Sequence, residues 1–181
     1  MAKVCVFFAN GFEEIEGLTV VDILRRAEID TEMVSVEKEL LVTGSHNIPV
    51  QMDVLFDNAD IDGADMIVLP GGMPGTTNLF RHEGLRTKIK KFVREDKMFA
   101  AICAAPSILG ANGVLEGKTA VCYPGFEEKL LGADVVFEKV VQDGNIITAR
   151  GMGASIEFAA KIVEQFKGKE AAQKILEAII Y

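Results

Sequence analysis

Residues 98–107 read MFAAICAAPS, and the reading of this stretch decides the fold. Residues 99–102 are a short apolar run of the kind shown by a strand buried on both faces. The run leads straight into Cys103, and the chain then enters a helix with Pro106 in its first turn, where a missing N–H costs nothing. Ala101 and Ala105 lie two positions either side of the cysteine. A sharp strand-to-helix turn leaves no room for large side chains, so this is the spacing of a nucleophile elbow. A cysteine at a helix start meets free N–H groups and the helix dipole, and Cys103 is therefore expected to titrate below a free cysteine. The alternative is a buried core position, the commoner fate of an intracellular cysteine.

The same strand-then-helix pattern continues in both directions. Residues 3–9 (KVCVFFA) and 65–69 (DMIVL) are further buried strands, and 31–36 and 119–122 also read as strands. Helical spacing marks residues 14–28, 83–95, 106–111, 154–166 and 170–180. Turns at Gly44–Asn47 and Asp143-Gly144 suggest two hairpins, the first joining 40–42 to 50–52 and the second 135–141 to 145–149. Strands alternating with helices imply a doubly wound, mostly parallel sheet with helices on both faces, here as one domain over residues 1–181. In such sheets the chemistry collects outside the carboxyl ends of the strands. That singles out residues 10–16, 70–75 and 103–106.

Residues 10–16 read NGFEEIE. Acids at a helix start complement the dipole, so Glu13 reads as a solvated carboxylate, and Glu14 is compatible with the same role. Glu16 shares a helical turn with Phe12 and Ile15 and is the acid expected to face inward. There, desolvation would raise its pKa, and the protonated carboxyl could donate to a thiolate. In 69–75, LPGGMPG, the glycines Gly71 and Gly72 follow a strand and can turn backbone N–H groups into a cleft as an oxyanion nest. No Gly-Lys-Ser/Thr follows, and the glycine spacing is not that of a dinucleotide site. The two histidines, His46 and His82, neighbour no cysteine or acid at metal-ligand spacing, so no metal site is legible, and His82 reads as a surface residue. Cys5 and Cys122 read as core, with Cys122 at a strand end close to the cleft.

Composition removes other classes. Lys+Arg 19 against Asp+Glu 27 gives a net charge of −8 and no basic patch, which argues against nucleic acid as a partner. No apolar run approaches the ~20 residues that span a bilayer, and no leader is expected. Three widely spaced cysteines do not make a disulfide framework, which points to a cytoplasmic setting with free thiols.

Taken together, NGFEEIE at 10–16, DMIVLPGGMPG at 65–75, AAICAAPS at 100–107, ITARGMGAS at 147–155 and FAAKIVEQFKGKE at 158–170 resemble the ThiJ/PfpI family, in the branch of the Parkinsonism-associated deglycase and its bacterial relatives. The resemblance implies a flavodoxin-like fold of the class I glutamine amidotransferase kind. It also implies a homodimer and no cofactor or metal. Cys103 matches the family's reactive cysteine, Glu16 the acid that hydrogen-bonds it, and Gly72 and Ala104 the backbone donors facing the sulfur. Tyr123 stands where that branch often has a histidine, Arg26 keeps a helix arginine, and His46 replaces a loop arginine. Ala104 also stands where protease members carry histidine, which weakens a peptidase assignment. The implied activity is on reactive carbonyls or glycated protein, of glyoxalase or deglycase type. The competing expectation is a non-enzymatic oxidative-stress sensor or chaperone acting through oxidation of the same cysteine.

Overall fold

A computed structural model describes residues 2–181. Its centre is a seven-stranded sheet. Strands β1 (Lys3–Phe8), β2 (Asp30–Ser35), β5 (Val54–Leu55), β6 (Met66–Leu69), β7 (Met98–Ile102) and β11 (Ile146–Ala149) run parallel, and β10 (Val140–Asp143) is antiparallel at one edge. The order β10-β11-β7-β6-β1-β2-β5 shows the winding reversing at β1: the chain goes first to one side, then crosses to the other. This is the flavodoxin-like, doubly wound arrangement expected from the sequence.

The strands are apolar on both faces because both faces are covered. Val4, Val6 and Phe8 of β1 join Ala100 and Ile102 of β7 against α1 (Glu14–Arg26), α5 (Ser155–Lys167) and α6 (Lys169–Ala178). The alternating set, Cys5 and Phe7 with Phe99 and Ala101, packs against α2 (Gly75–Arg81), α3 (Glu83–Arg94) and α4 (Pro106–Ala111). A fully buried Phe or Leu of this kind stabilises the fold by about 1.5–3 kcal/mol relative to leaving it in water.

Three elements differ from the sequence reading. Helix α2 was not anticipated, and it starts immediately after the glycine turn. The segment expected as a strand over 119–122 shortens to β8 (Thr119–Ala120). It pairs with β9 (Asp134–Val135) in a separate two-stranded sheet. The chain leaves the strand path because Val121 N–H donates to Thr148 Oγ1 at 3.0 Å and Tyr123 N–H to the Cys103 carbonyl at 2.8 Å. The second hairpin is β10 with β11, and Val135 belongs to β9 instead. The first hairpin, β3 (Leu41–Thr43) with β4 (Pro49–Gln51), forms as the turn residues suggest. No helix among the described residues is long and apolar enough to cross a membrane.

Candidate active site

β1, β6 and β7 are neighbours in the sheet, so the segments leaving their carboxyl ends converge. Cys103 leaves β7 with φ of +64°, a left-handed conformation that costs a non-glycine residue about 1–3 kcal/mol. Both of its backbone groups are tied down: its N–H donates to the Ala149 carbonyl at 2.9 Å, and its carbonyl accepts from Tyr123. Ala105 N–H closes the turn onto the Ile102 carbonyl at 3.0 Å. The strained residue is thus held by hydrogen bonds to two other segments, and its side chain is turned out of the strand path.

Glu16, in the first turn of α1, is 1% exposed. Its Oε2 accepts from Gly71 N–H at 2.9 Å, and Oε1 has no hydrogen-bond partner. The Cys103 thiol lies beside this carboxyl, close enough that each group shifts the other's pKa. The backbones of Gly72 and Ala104 lie close enough to pull the thiol's pKa down. Gly71 has to be glycine, since a Cβ there would lie 2.6 Å from both Cys103 Cβ and Glu16 Oε2. Gly72 has φ of +91° and packs against the backbone of residues 11–13, so it too excludes a side chain. The four residues Cys103, Glu16, Gly72 and Ala104, with Gly71, therefore meet in one place.

Burial pushes the Glu16 carboxyl up to about 7. Burial first, and ionised Glu16 second, push the Cys103 thiol up to about 12, against the opposing pull of the Ala104 and Gly72 N–H groups. This corrects the expectation of a thiol titrating below free cysteine. The helix after the elbow has only six residues, and desolvation and the neighbouring carboxylate outweigh its terminus. Since each ionised group disfavours ionisation of the other, the two behave as a pair that readily gives up one proton and not two.

The remaining expected residues are placed differently. Tyr123 is half exposed and stands beside the elbow with its ring against Gly151. It borders a cleft of about 430 Å³ that is also lined by Lys139, Arg150 and Met152. Arg150 lies within the ITARGMGAS stretch, but nothing in the sequence brought its charge beside the elbow. Arg26 is not at the site: it lies ten residues beyond Glu16, about 15 Å along α1, and pairs with Asp22 at 2.6 Å. His82 caps α3, with Nδ1 accepting from Leu85 N–H at 3.0 Å, and rests on Phe56. Cys5 and Cys122 are buried. Glu13 and Glu14 are not solvated: their side chains are 15% and 7% exposed and meet His46 of the first hairpin.

A doubly wound sheet with a strained cysteine at one strand end and a buried carboxyl beside it defines a protein of flavodoxin-like fold. The chain belongs to the DJ-1/PfpI family, whose model matches residues 2–165. The Protein DJ-1 homolog B of Arabidopsis thaliana is 39% identical over 175 residues, which cover 96% of this chain and 40% of the relative, so the chain spans less than half the length of that plant protein. Deglycase PfpI of Pyrococcus furiosus is 30% identical over 91% of this chain and 99% of its own length. The solved structure of Toxoplasma gondii DJ-1 in an oxidized form has a TM-score of 0.96, with 35% identity, and covers 100% of this chain and 99% of that one.

Proposed function

We propose that the chain is a cysteine-dependent stress-response enzyme acting on small reactive carbonyls such as methylglyoxal, or on their adducts with protein, in the cytoplasm and without a cofactor. The observation that carries this reading is the Cys103–Glu16 pair: a strained, partly exposed thiol beside a buried carboxyl that burial pushes up to about 7. Moving the thiol proton to Glu16 removes the like charge beside the sulfur. It also turns the carboxyl into a donor, alongside the N–H groups of Gly72 and Ala104. The nucleophile is thus made by proton transfer inside the pair, not by loss of a proton to solvent.

The thiolate then attacks the aldehyde carbon. The S–C bond forms, the carbonyl π pair moves to oxygen, and Glu16 returns its proton there to give a hemithioacetal. Glu16, now a carboxylate, takes the proton from the carbon of the hemithioacetal, whose C–H pair forms a C=C bond as the neighbouring carbonyl becomes an enolate. Glu16 returns that proton to the neighbouring carbon while the hydroxyl proton of the first carbon passes to the second oxygen, leaving a thioester. Water hydrolyses the thioester to a hydroxy acid and restores the thiol, so the sum is dicarbonyl plus water. The resemblance in sequence to Deglycase PfpI supports the carbonyl reading. Ala104 after the cysteine, His82 engaged in a helix cap and His46 paired with Glu14 all weigh against a peptidase mechanism.

The test is hydroxy-acid formation from methylglyoxal by the wild type, Cys103→Ser and Glu16→Gln. The proposal expects turnover in the wild type and a loss of at least about 100-fold in either variant. A wild-type rate equal to Cys103→Ser would reject it. The second reading, an oxidation sensor, is favoured by the oxidized state of the Toxoplasma gondii structure. It would then stand alone.

A further inference from the structure

The contact between Glu13, Glu14 and His46 joins the start of α1 to the first hairpin across more than thirty residues of sequence. We propose that these three side chains, with Ser45, form a binding site for a first-row divalent cation, zinc foremost. The spacing of the donor atoms is the basis. His46 Nδ1 lies 3.0 Å from Glu14 Oε2, 3.7 Å from Glu13 Oε2 and 3.1 Å from Ser45 Oγ. Ser45 Oγ lies 3.3 Å from Oε2 of each glutamate. Ligands held at the usual zinc–nitrogen and zinc–oxygen distance of about 2.1 Å are themselves about 3.0–3.5 Å apart, at octahedral or tetrahedral angles. His46 Nδ1, Ser45 Oγ and Glu14 Oε2 therefore already span one face of a coordination shell, with Glu13 Oε2 slightly wider at 3.7 Å and the remaining positions open to water.

Charge points the same way. Two largely buried carboxylates face each other, and among the described residues no lysine or arginine nitrogen lies within 4 Å of either. An arginine here would neutralise them permanently. Histidine does so only when protonated, and as neutral imidazole it is a ligand. The start of α1 opposes a cation with about half a positive charge, but the two carboxylates outweigh it. The cradle is held in shape by its backbone. Glu14 Oε1 accepts from His46 N–H at 2.8 Å, which leaves Oε2 directed at the imidazole, and Ser45 N–H donates to the Phe12 carbonyl at 2.8 Å. His46 itself is 68% exposed, so a cation can reach the site from solvent. Imidazole with two carboxylates suits zinc and its neighbours better than calcium or magnesium, which prefer all-oxygen shells.

Calorimetric titration of the full chain with Zn²⁺ tests the site, with Co²⁺ spectra as a second readout. The expected result is one bound equivalent, weakened at least about tenfold by His46→Ala and by Glu13→Gln, and unchanged by Cys103→Ser or His82→Ala. His46 is on the surface, so His46→Ala should fold, and circular dichroism checks that it does. The Co²⁺ complex should lack the near-ultraviolet charge-transfer band of a thiolate ligand. Absence of binding, binding that survives both His46→Ala and Glu13→Gln, or binding lost in Cys103→Ser would each overturn the proposal and leave His46 as a simple partner of Glu14.

Discussion

Replacing Glu16 by glutamine should make the protein more stable above neutral pH while removing its chemistry. A carboxyl held at about 7 in the fold, against an ordinary value of 4.5, costs about 3 kcal/mol to ionise in place. Because the folded value is the raised one, the wild type keeps its full stability below pH 4.5. It loses that contribution as the pH climbs from 4.5 through 7. Glutamine fits the same space, can still accept from Gly71 N–H and carries no charge, so its stability lacks this dependence. The difference between the two proteins should therefore grow by about 3 kcal/mol between pH 4 and pH 8, or about 6–12 °C in Tm for a domain of this size. Urea melts of both proteins across that range provide the assay, and titrations elsewhere in the chain cancel in the comparison. A difference that stays flat with pH, or a glutamine variant less stable than the wild type at pH 8, would show that the carboxyl is not paying a desolvation cost.

Further outcomes follow from the same geometry. Gly71→Ala should abolish turnover and destabilise the fold by about 2 kcal/mol or more, since its Cβ would collide with both Cys103 and Glu16; urea melts and carbonyl turnover check this. Limiting iodoacetamide should label Cys103 ahead of Cys5 and Cys122, which are buried, as mass mapping will show. Mild peroxide should carry Cys103 to the sulfinate, with no resolving cysteine to divert it, and Glu16→Leu should lower that yield in intact-mass spectra. The homodimer is what the family resemblance alone implies, and light scattering should then give about 40 kDa, twice the 19.6 kDa chain.

Much of this was legible because buried parallel strands advertise themselves. The runs at 3–9, 65–69 and 99–102 carry apolar side chains on both faces, and each ends in a turn whose residues only a close approach explains. Helix α2 was not legible. Its sequence, GTTNLFR, holds a glycine, two threonines and an asparagine, all weak helix formers. It is helical because Thr76 N–H reaches the Gly72 carbonyl and Leu79 is buried in the core, which are tertiary facts. The inward reading of Glu16 rests on the turn it shares with Phe12 and Ile15; Phe12 is fully buried while Ile15 is 50% exposed, and the approach of Gly71, which the sequence does not show, completes the burial of Glu16. The meeting of His46 with Glu13 and Glu14 leaves no trace in spacing, because a hairpin folding over a helix start creates it. The thiol's raised pKa also escaped the sequence, which showed the helix terminus but not the depth of burial.

The central claim is that Cys103 and Glu16 act as one unit with a single working proton. The pH profile of kcat/KM for methylglyoxal tests it most directly, because that profile reports ionisations of the free enzyme. The account predicts an ascending limb near pH 7, where the pair loses its first proton, and its disappearance in Glu16→Gln. A limb near 8.5–9, the range of an isolated cysteine, retained in Glu16→Gln, would contradict it.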